Sequence, residues 1–412
     1  MSKKTLIFIG NGMATNRVLE NLGMQHPFDE IHIFSDENIA HYNRIMLSPL
    51  LAGETTLQAI TPHTADWYQA MKAQIHLNNP VIAINHQQQT VTTKNGEQVT
   101  YDALVIATGS RSFIPDLPGS DGSNVVGFRA MHDVDIMVER LETLKHATVI
   151  GAGLLGVEAA VGLRLQGINV TLIHRNPVIM NRQLDATAAS LLQHELTQRG
   201  IDVRTGWNPV SIEHNQDQDS TSTVTLDNGL QSVSLPTDLI VFATGITPNT
   251  EPAISSGLNC NKGIQVNARM QTSADNIFAL GECCEFDGNT YGLVAPIWDQ
   301  ASVVADELRQ LICNSESDKQ PYTEREHLTK LKVSGLDIHS IGQFEEDSDT
   351  EVLHLLDRDS GIYKKVLLKN DRVIGALCVG DVTDSHWYYE LMSTNTPVHD
   401  IRTNMVFGKA YC

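Results

Sequence analysis

Two short glycine-bearing segments, each set between an apolar strand and a helical pattern, constrain this chain more than any other feature. The mid-chain one reads Val149-Ile-Gly-Ala-Gly-Leu-Leu-Gly-Val-Glu-Ala-Ala160. The apolar run from Ala147 to Ile150 reads as a buried parallel strand, and Gly151-x-Gly153-x-x-Gly156 follows it directly. An Ala/Leu-rich helical pattern runs on to Leu165, and a second apolar strand covers Ile168 to Ile173. Together these make a βαβ unit, the context in which such glycines have separate jobs. Gly151 makes the tight turn, Gly153 lets the backbone approach a pyrophosphate, and Gly156 lets helix pack on strand. The pyrophosphate then rests on the positive end of the helix, over Leu154 and Leu155. A lone glycine triplet also serves ordinary turns; the flanking strands and helix make this one a nucleotide site.

The second segment lies near the start. Lys4 to Ile9 is an apolar strand, and Gly10-Asn-Gly12-Met13-Ala14-Thr15 follows it. Thr15 stands where the third glycine would be, a small departure because that position only sets helix–strand spacing, and Ala14 keeps the turn slim. Helical periodicity runs to Leu22, and the strand Ile31 to Phe34 ends at Ser35-Asp36-Glu37. A carboxylate at this strand end accepts hydrogen bonds from a ribose. Asp36 is the choice over Glu37, with a solvated strand end as the plain alternative. A dinucleotide site usually opens its fold, so one in mid-chain suggests a domain inserted into another already begun.

The 412 residues are enough for two or three domains. A net charge of -20 argues against nucleic acid, which needs clustered Lys and Arg. No apolar run approaches the ~20 residues of a membrane span. Met1-Ser-Lys-Lys4 runs into a strand without a signal peptide's apolar segment, so cytoplasmic residence is expected. The cysteines Cys260, Cys283, Cys284, Cys313, Cys378 and Cys412 form no CxxC pair, so neither a dithiol motif nor a zinc framework is expected. Two packing thiols are the reading for Cys283-Cys284, against a strained vicinal disulfide. His41, His132 and His174 lack metal-ligand spacing, and no metal is expected.

The remaining motifs carry a family resemblance. His41-Tyr-Asn-Arg-Ile-Met-Leu-Ser48 resembles the Tyr-x-Arg-x-x-Leu-Ser segment of FAD-dependent pyridine-nucleotide reductases. The resemblance implies that Arg44 reaches the FAD pyrophosphate in a bidentate contact. The Lys that commonly follows the Ser near the flavin is replaced by Pro49. Tyr101-Asp-Ala-Leu-Val-Ile-Ala-Thr-Gly-Ser110 resembles the family's crossover strand, with Thr108 and Gly109 close to the cofactor and Arg111 as a further phosphate contact. Thr237 to Asn249 repeats that motif as the chain returns, and its Gly245 is assigned to NAD(P)H. Thr272 to Glu282 matches the last FAD motif, in which Gly281 and Glu282 meet the ribityl chain, Glu282 replacing the usual Asp. By the same analogy Val81 stacks near adenine, though packing alone explains a strand valine, and Ala295 and Pro296 face the isoalloxazine. Glu158, two residues past Gly156, is implied to be the catalytic candidate, a carboxylate that positions the nicotinamide; a helix-start carboxylate favoured by the dipole is the alternative.

The inserted unit's second strand ends at His174-Arg175-Asn176, where an NADH-specific site usually has Asp or Glu. An Arg there pairs with a 2'-phosphate and leans toward NADPH, though a solvated strand-end Arg accounts for it too.

The expected architecture is α/β: two Rossmann-like, three-layer ββα-type domains, the NAD(P)H-binding one inserted in the FAD-binding one, plus a C-terminal α+β domain. Residues 1–114 and 241–315 are assigned to FAD, 115–240 to NAD(P)H, and 325–412 to an interface domain after a polar linker. Within that last domain, Asn370-Asp371 reads as a tight hairpin turn. Trp387, Tyr388 and Tyr389 read as core residues, with docking to a partner or a homodimer as the alternative.

The chain is similar to the flavoprotein portion of NAD(P)H-dependent assimilatory nitrite reductases, and to rubredoxin reductases and electron-transfer subunits of assimilatory nitrate reductases. The resemblance implies hydride transfer from NADH or NADPH to FAD. Electrons then pass to a separate redox protein, most simply a nitrate- or nitrite-assimilating component. The chain ends at Cys412 without Cys-rich iron–sulfur segments, so no nitrite reduction by the chain alone is expected. Rubredoxin or ferredoxin reductase is the alternative acceptor class, and a local basic patch would be needed to meet acidic acceptors. A non-enzymatic NAD(P)-binding scaffold or sensor is the alternative of another class.

Overall fold

Leu6-Ile-Phe-Ile9, Ala103-Leu-Val-Ile106 and Ile277-Phe-Ala279 carry no charged residue, and all become strands of one parallel sheet. The computed structural model describes residues 3–215, 221–313, 320–333 and 336–412. The chain divides into two compact units. One comprises Met1–Met46, Thr55–Arg111 and Ile246–Arg325; the other comprises Leu47–Glu54, Ser112–Gly245 and Glu326–Cys412.

In the first unit the sheet order is Ile277–Ala279, Ala103–Ile106, Thr5–Ile9, Glu30–Phe34, Ala73–His76, all parallel. Strands of such a sheet are covered on both faces, which is why they read as continuous apolar runs rather than alternating ones. Helices Met13–Leu22 and Ala295–Cys313 pack together here. The Arg309 guanidinium donates to the Leu22 carbonyl at 3.2 Å, satisfying an orphan acceptor at the end of the first helix. An antiparallel layer of Val81–Asn85, Thr90–Thr93 and Gln98–Thr100 completes the unit. It begins at Val81, after the edge strand Ala73–His76 of the parallel sheet. Tyr322, in the stretch expected to be a polar linker, is 3% exposed. It packs edge-on against Phe286 and Tyr291.

The second unit repeats the plan. Its parallel sheet runs Ile201–Thr205, Asn169–His174, His146–Ile150, Leu239–Phe242, Val125–Val126. The antiparallel layer is Asn208–His214, Ser222–Asp227 and Ser232–Thr237. The same unit also holds a five-stranded antiparallel sheet near the end of the chain, with helix Ser385–Ser393 packed on it. Its hairpin Ile362–Lys369/Arg372–Val379 turns at Asn370 and Asp371, with φ of 51° and 55°. Two successive positive values define a type I′ turn, which suits the twist of the flanking strands. Tyr388 is fully buried and donates to the Met405 carbonyl at 2.7 Å, so packing accounts for it.

These units cut the chain differently from the expected boundaries. The inserted segment runs from Ser112 to Gly245, and the C-terminal sheet groups with it. So does Leu47–Glu54, which takes Leu47 and Ser48 from the segment resembling an FAD motif; Leu51 packs against Gly162, and Gln166 donates to its carbonyl.

Candidate dinucleotide sites

The first glycine turn sits at the carboxyl end of Thr5–Ile9, where open α/β sheets bind ligands. Gly10 has φ +108°, and a Cβ there would lie 2.2 Å from the Ala107 carbonyl oxygen, so only glycine fits. Gly12 differs: its φ is -91° and a Cβ would meet nothing within 4 Å. The space above it is open to a ligand. No side chain caps helix Met13–Leu22, so its first-turn N–H groups point outward unclaimed. Thr15 donates its hydroxyl to the Gly10 carbonyl at 2.7 Å, so the residue in place of the third glycine pins the turn.

The structure brings Gly281 and Thr108 close to this turn, and it places the other expected residues of the first unit as follows. A Cβ on Gly281 would fall 3.4 Å from Ala14, so the last motif lies against the first. Ser110 donates to Glu282 at 2.6 Å, and Glu282 is 8% exposed. Asp36 is exposed at its strand end. Glu37 instead accepts from the Tyr42 hydroxyl and pairs with Arg44, leaving Asp36 the freer carboxylate for a ribose. Thr108 and Asn249 bond reciprocally, at 2.6 Å and 3.0 Å. Arg111 pairs with Glu251 and Asn249. Val81 lies in the core at 4% exposure, so packing alone accounts for it. Ala295 and Pro296 begin the last helix of the unit. Two buried nitrogens beside the turn, Asn11 Nδ2 and His41 Nδ1, have no partner among the described residues. Burial lowers the His41 pKa to about 4, so it is neutral there. Unpaired buried nitrogens at an uncapped helix start fit an oxygen-rich ligand such as a pyrophosphate.

Cys283 and Cys284 are fully buried free thiols. Their sulfurs point at the Ile106, Leu280 and Gly281 carbonyls, and burial raises both pKa values, so they are packing groups.

The second glycine turn repeats this geometry in the second unit. Gly151 has φ +106° and a Cβ would lie 2.4 Å from the Ala243 carbonyl oxygen. Gly153 has φ -84° with nothing within 4 Å, and helix Leu154–Leu165 has no side-chain cap. Gly156 is held to glycine, because a Cβ would sit 1.7 Å from the Gly151 oxygen. His174 accepts from the Ala152 N–H through Nδ1 at 3.1 Å, and its Nε2 faces Asn181 at 3.1 Å. Burial lowers its pKa, consistent with a neutral ring that buttresses the turn. Arg175 is exposed and has no side-chain partner among the described residues. Gly245, at φ +131°, returns the chain beside Phe113, whose N–H donates to it at 2.9 Å. A cleft of about 500 Å³ lined by Lys145, His146, Asp202, Arg204 and Asp238 opens at the amino ends of this sheet, away from the glycine turn.

Glu158 stands one turn into this helix. Ser48 donates to its Oε2 at 2.6 Å, and burial raises its pKa to about 6. Ser48 was not singled out from sequence. The two residues lie 110 positions apart, so nothing local to either announces the contact.

A family profile described as "Pyridine nucleotide-disulphide oxidoreductase" matches residues 4–305. The chain belongs to this family. A second profile, "Rubredoxin NAD+ reductase C-terminal domain", matches residues 328–396. The assimilatory nitrate reductase electron transfer subunit of Bacillus subtilis is 40% identical over 93% of this chain and 48% of its own length. The NAD(P)H nitrite reductase of the same organism is 38% identical over 97% of this chain and 48% of its own length. The chain thus spans about half the length of these curated relatives. Among solved structures, a ferredoxin reductase from Rhodopseudomonas palustris superposes with a TM-score of 0.84 at 23% identity, covering 96% of both chains, and shows the same fold. The expected α/β class with two Rossmann-like domains and a C-terminal domain agrees with these matches.

Proposed function

We propose that the chain is an FAD-dependent NAD(P)H oxidoreductase that passes electrons to a separate redox protein, a component of nitrate or nitrite assimilation. The observation that carries this reading is the pair of glycine turns, each open at its middle glycine and each followed by an uncapped helix. When bound, FAD supplies the hydride-accepting and electron-relaying chemistry. The chain's share is binding, orientation and electrostatics. The turn at Gly10–Thr15, with Asp36 for the ribose, Arg44 for the pyrophosphate and Glu282 for the ribityl hydroxyls, would hold FAD. The turn at Gly151–Gly156 would hold the nicotinamide nucleotide.

Within the proposed nicotinamide site, Ser48 donates to one oxygen of Glu158, and the other oxygen would be the one to accept a hydrogen bond from the carboxamide. Arg175, exposed beyond the strand end, is available to a 2'-phosphate, which favours NADPH while leaving NADH usable. Cys283 and Cys284, buried and bonded to the Leu280 and Gly281 carbonyls, are read as packing thiols, and a protein acceptor is proposed in place of a disulfide. No helix among the described residues is long and apolar enough to cross a membrane, and a cytoplasmic location is proposed with the function.

The match of residues 328–396 favours a second acceptor, rubredoxin. Steady-state rates with NADH and NADPH, each against a nitrate reductase component, rubredoxin and an artificial dye, separate the two. Turnover with the nitrate reductase component supports the first reading, and turnover with rubredoxin alone supports the second. A protein that binds no FAD and reduces no dye contradicts both.

A further inference from the structure

Asp185 joins the nicotinamide turn to the C-terminal sheet. Its Oδ1 accepts from the Ala188 N–H at 2.9 Å and caps helix Ala186–Gln198. Its Oδ2 accepts from the Tyr363 hydroxyl at 2.9 Å and from Lys365 Nζ at 3.0 Å. Tyr363 and Lys365 are two apart on one strand, so their side chains leave the same face and converge on one carboxylate. Lys364, between them, points the other way and pairs with Asp381 and Asp384. The Lys365 and Asp185 side chains are only 7% and 14% exposed, which makes this a desolvated pair rather than a surface one. Lys365 also reaches the Phe344 carbonyl and Glu346.

The other end of this short loop closes on the glycine turn. Met180, with φ +48°, donates its N–H to the Ala152 carbonyl at 2.8 Å. Asn181 meets the His174 ring that accepts from the Ala152 N–H. Both backbone groups of Ala152, between Gly151 and Gly153, are therefore held by residues 174–181. Between the two ends, Ser340 donates to the Gln183 carbonyl at 2.7 Å, and Leu184 is buried. The segment 180–185 is thus clamped at one end by the C-terminal sheet and at the other by the turn that faces the pyrophosphate.

We infer that Lys365 and Tyr363 are positioning residues for NAD(P)H binding, acting through Asp185 and the 180–185 loop on Ala152. They touch no part of the nucleotide. They hold the backbone that does. This inference rests on the assignment of the nicotinamide nucleotide to the Gly151 turn.

The test uses the FAD-loaded full chain with Tyr363→Phe, Lys365→Met and, as a control on the site itself, Gly153→Ala. NADH and NADPH dissociation constants, KM and kcat with an artificial dye, FAD content and melting temperature are measured for each. The expected result is a rise of about fivefold or more in Kd and KM in both clamp variants. Their kcat at saturating nucleotide and their FAD content should stay close to the parent's. Should Lys365→Met fail to fold, Tyr363→Phe, which removes one hydroxyl from a retained ring, decides alone. A clamp variant with lowered melting temperature but parental Kd and KM overturns the inference while leaving the nucleotide assignment standing. If Gly153→Ala also binds nucleotide like the parent, the site assignment fails and the inference falls with it.

Discussion

The middle glycines offer a perturbation that separates folding from binding. Gly153 has φ -84° and an extended ψ of -170°, which any residue adopts, and a methyl group placed on it touches no protein atom within 4 Å. Replacing it with Ala costs the fold no more than the difference between two N-cap residues, about 1 kcal/mol or less. For a bound dinucleotide the same methyl stands where the backbone must approach the pyrophosphate. Forcing an extra methyl into a packed contact costs about 1–3 kcal/mol, or a loss of affinity of roughly 5- to 150-fold. Gly12 has the same geometry, with φ -91°, ψ -171° and the same open space. Gly153→Ala should therefore raise Kd for NADH and NADPH while retaining FAD and melting temperature. Gly12→Ala should lose FAD while keeping its fold. Flavin content after gel filtration, nucleotide titration and thermal denaturation read the three quantities separately. If Gly153→Ala strips FAD and leaves NAD(P)H binding intact, the nucleotides have been assigned to the wrong turns. If neither variant changes either ligand, the turns are not the binding sites.

Gly156→Ala should behave differently from Gly153→Ala. Its Cβ would lie 1.7 Å from a backbone oxygen, so a stability loss of about 3 kcal/mol or more and a lowered melting temperature are expected. A variant as stable as the parent would mean that helix and turn can part without cost. Glu158→Gln should slow hydride transfer to the flavin in anaerobic stopped-flow, and an unchanged rate would remove Glu158 from its assigned role. The same variant reports pH linkage. The Glu158 pKa is raised to about 6 by burial, so its proton stabilises the folded state. That contribution is complete below the ordinary carboxylate value of 4.5 and is lost as pH rises through 6. The melting-temperature gain of Glu158→Gln should thus be near zero at low pH and largest above neutrality; a pH-independent difference contradicts it. Arg175→Glu should raise KM for NADPH by about tenfold, the worth of one charge-assisted phosphate contact, with little change for NADH. Equal effects on both nucleotides would refute a 2'-phosphate contact.

Much of this was legible in the sequence because dinucleotide turns are local. Gly10, Gly151 and Gly156 each occupy a position that the fold denies to any side chain, so strand, turn and helix could be read from spacing alone. Asn370-Asp371 was legible for the same reason. What escaped the sequence depends on contacts between distant segments. Ser48 lies 110 residues from Glu158, and nothing local to either announces the contact. Asp185 caps a helix in the structure, but nothing in its neighbours announces Lys365, which lies 180 residues on and looks like an ordinary strand lysine. Tyr322 sits in a polar stretch, yet its ring is drawn into the core by Phe286 and Tyr291. Leu47 and Ser48 close the segment that resembles an FAD motif, but the helix they open, Leu47–Leu51, packs on the helix that carries Glu158.

The central claim is that one chain binds both nucleotides and moves a hydride from one to the other before passing electrons on. Anaerobic titration of the FAD-loaded protein with NADPH, and separately with NADH, followed by its visible spectrum, tests it most directly. The account predicts that the oxidised flavin band bleaches with one equivalent of nucleotide and returns on adding the acceptor protein. A protein that takes up no FAD, or one whose flavin band is unchanged by excess NADPH and NADH, contradicts it.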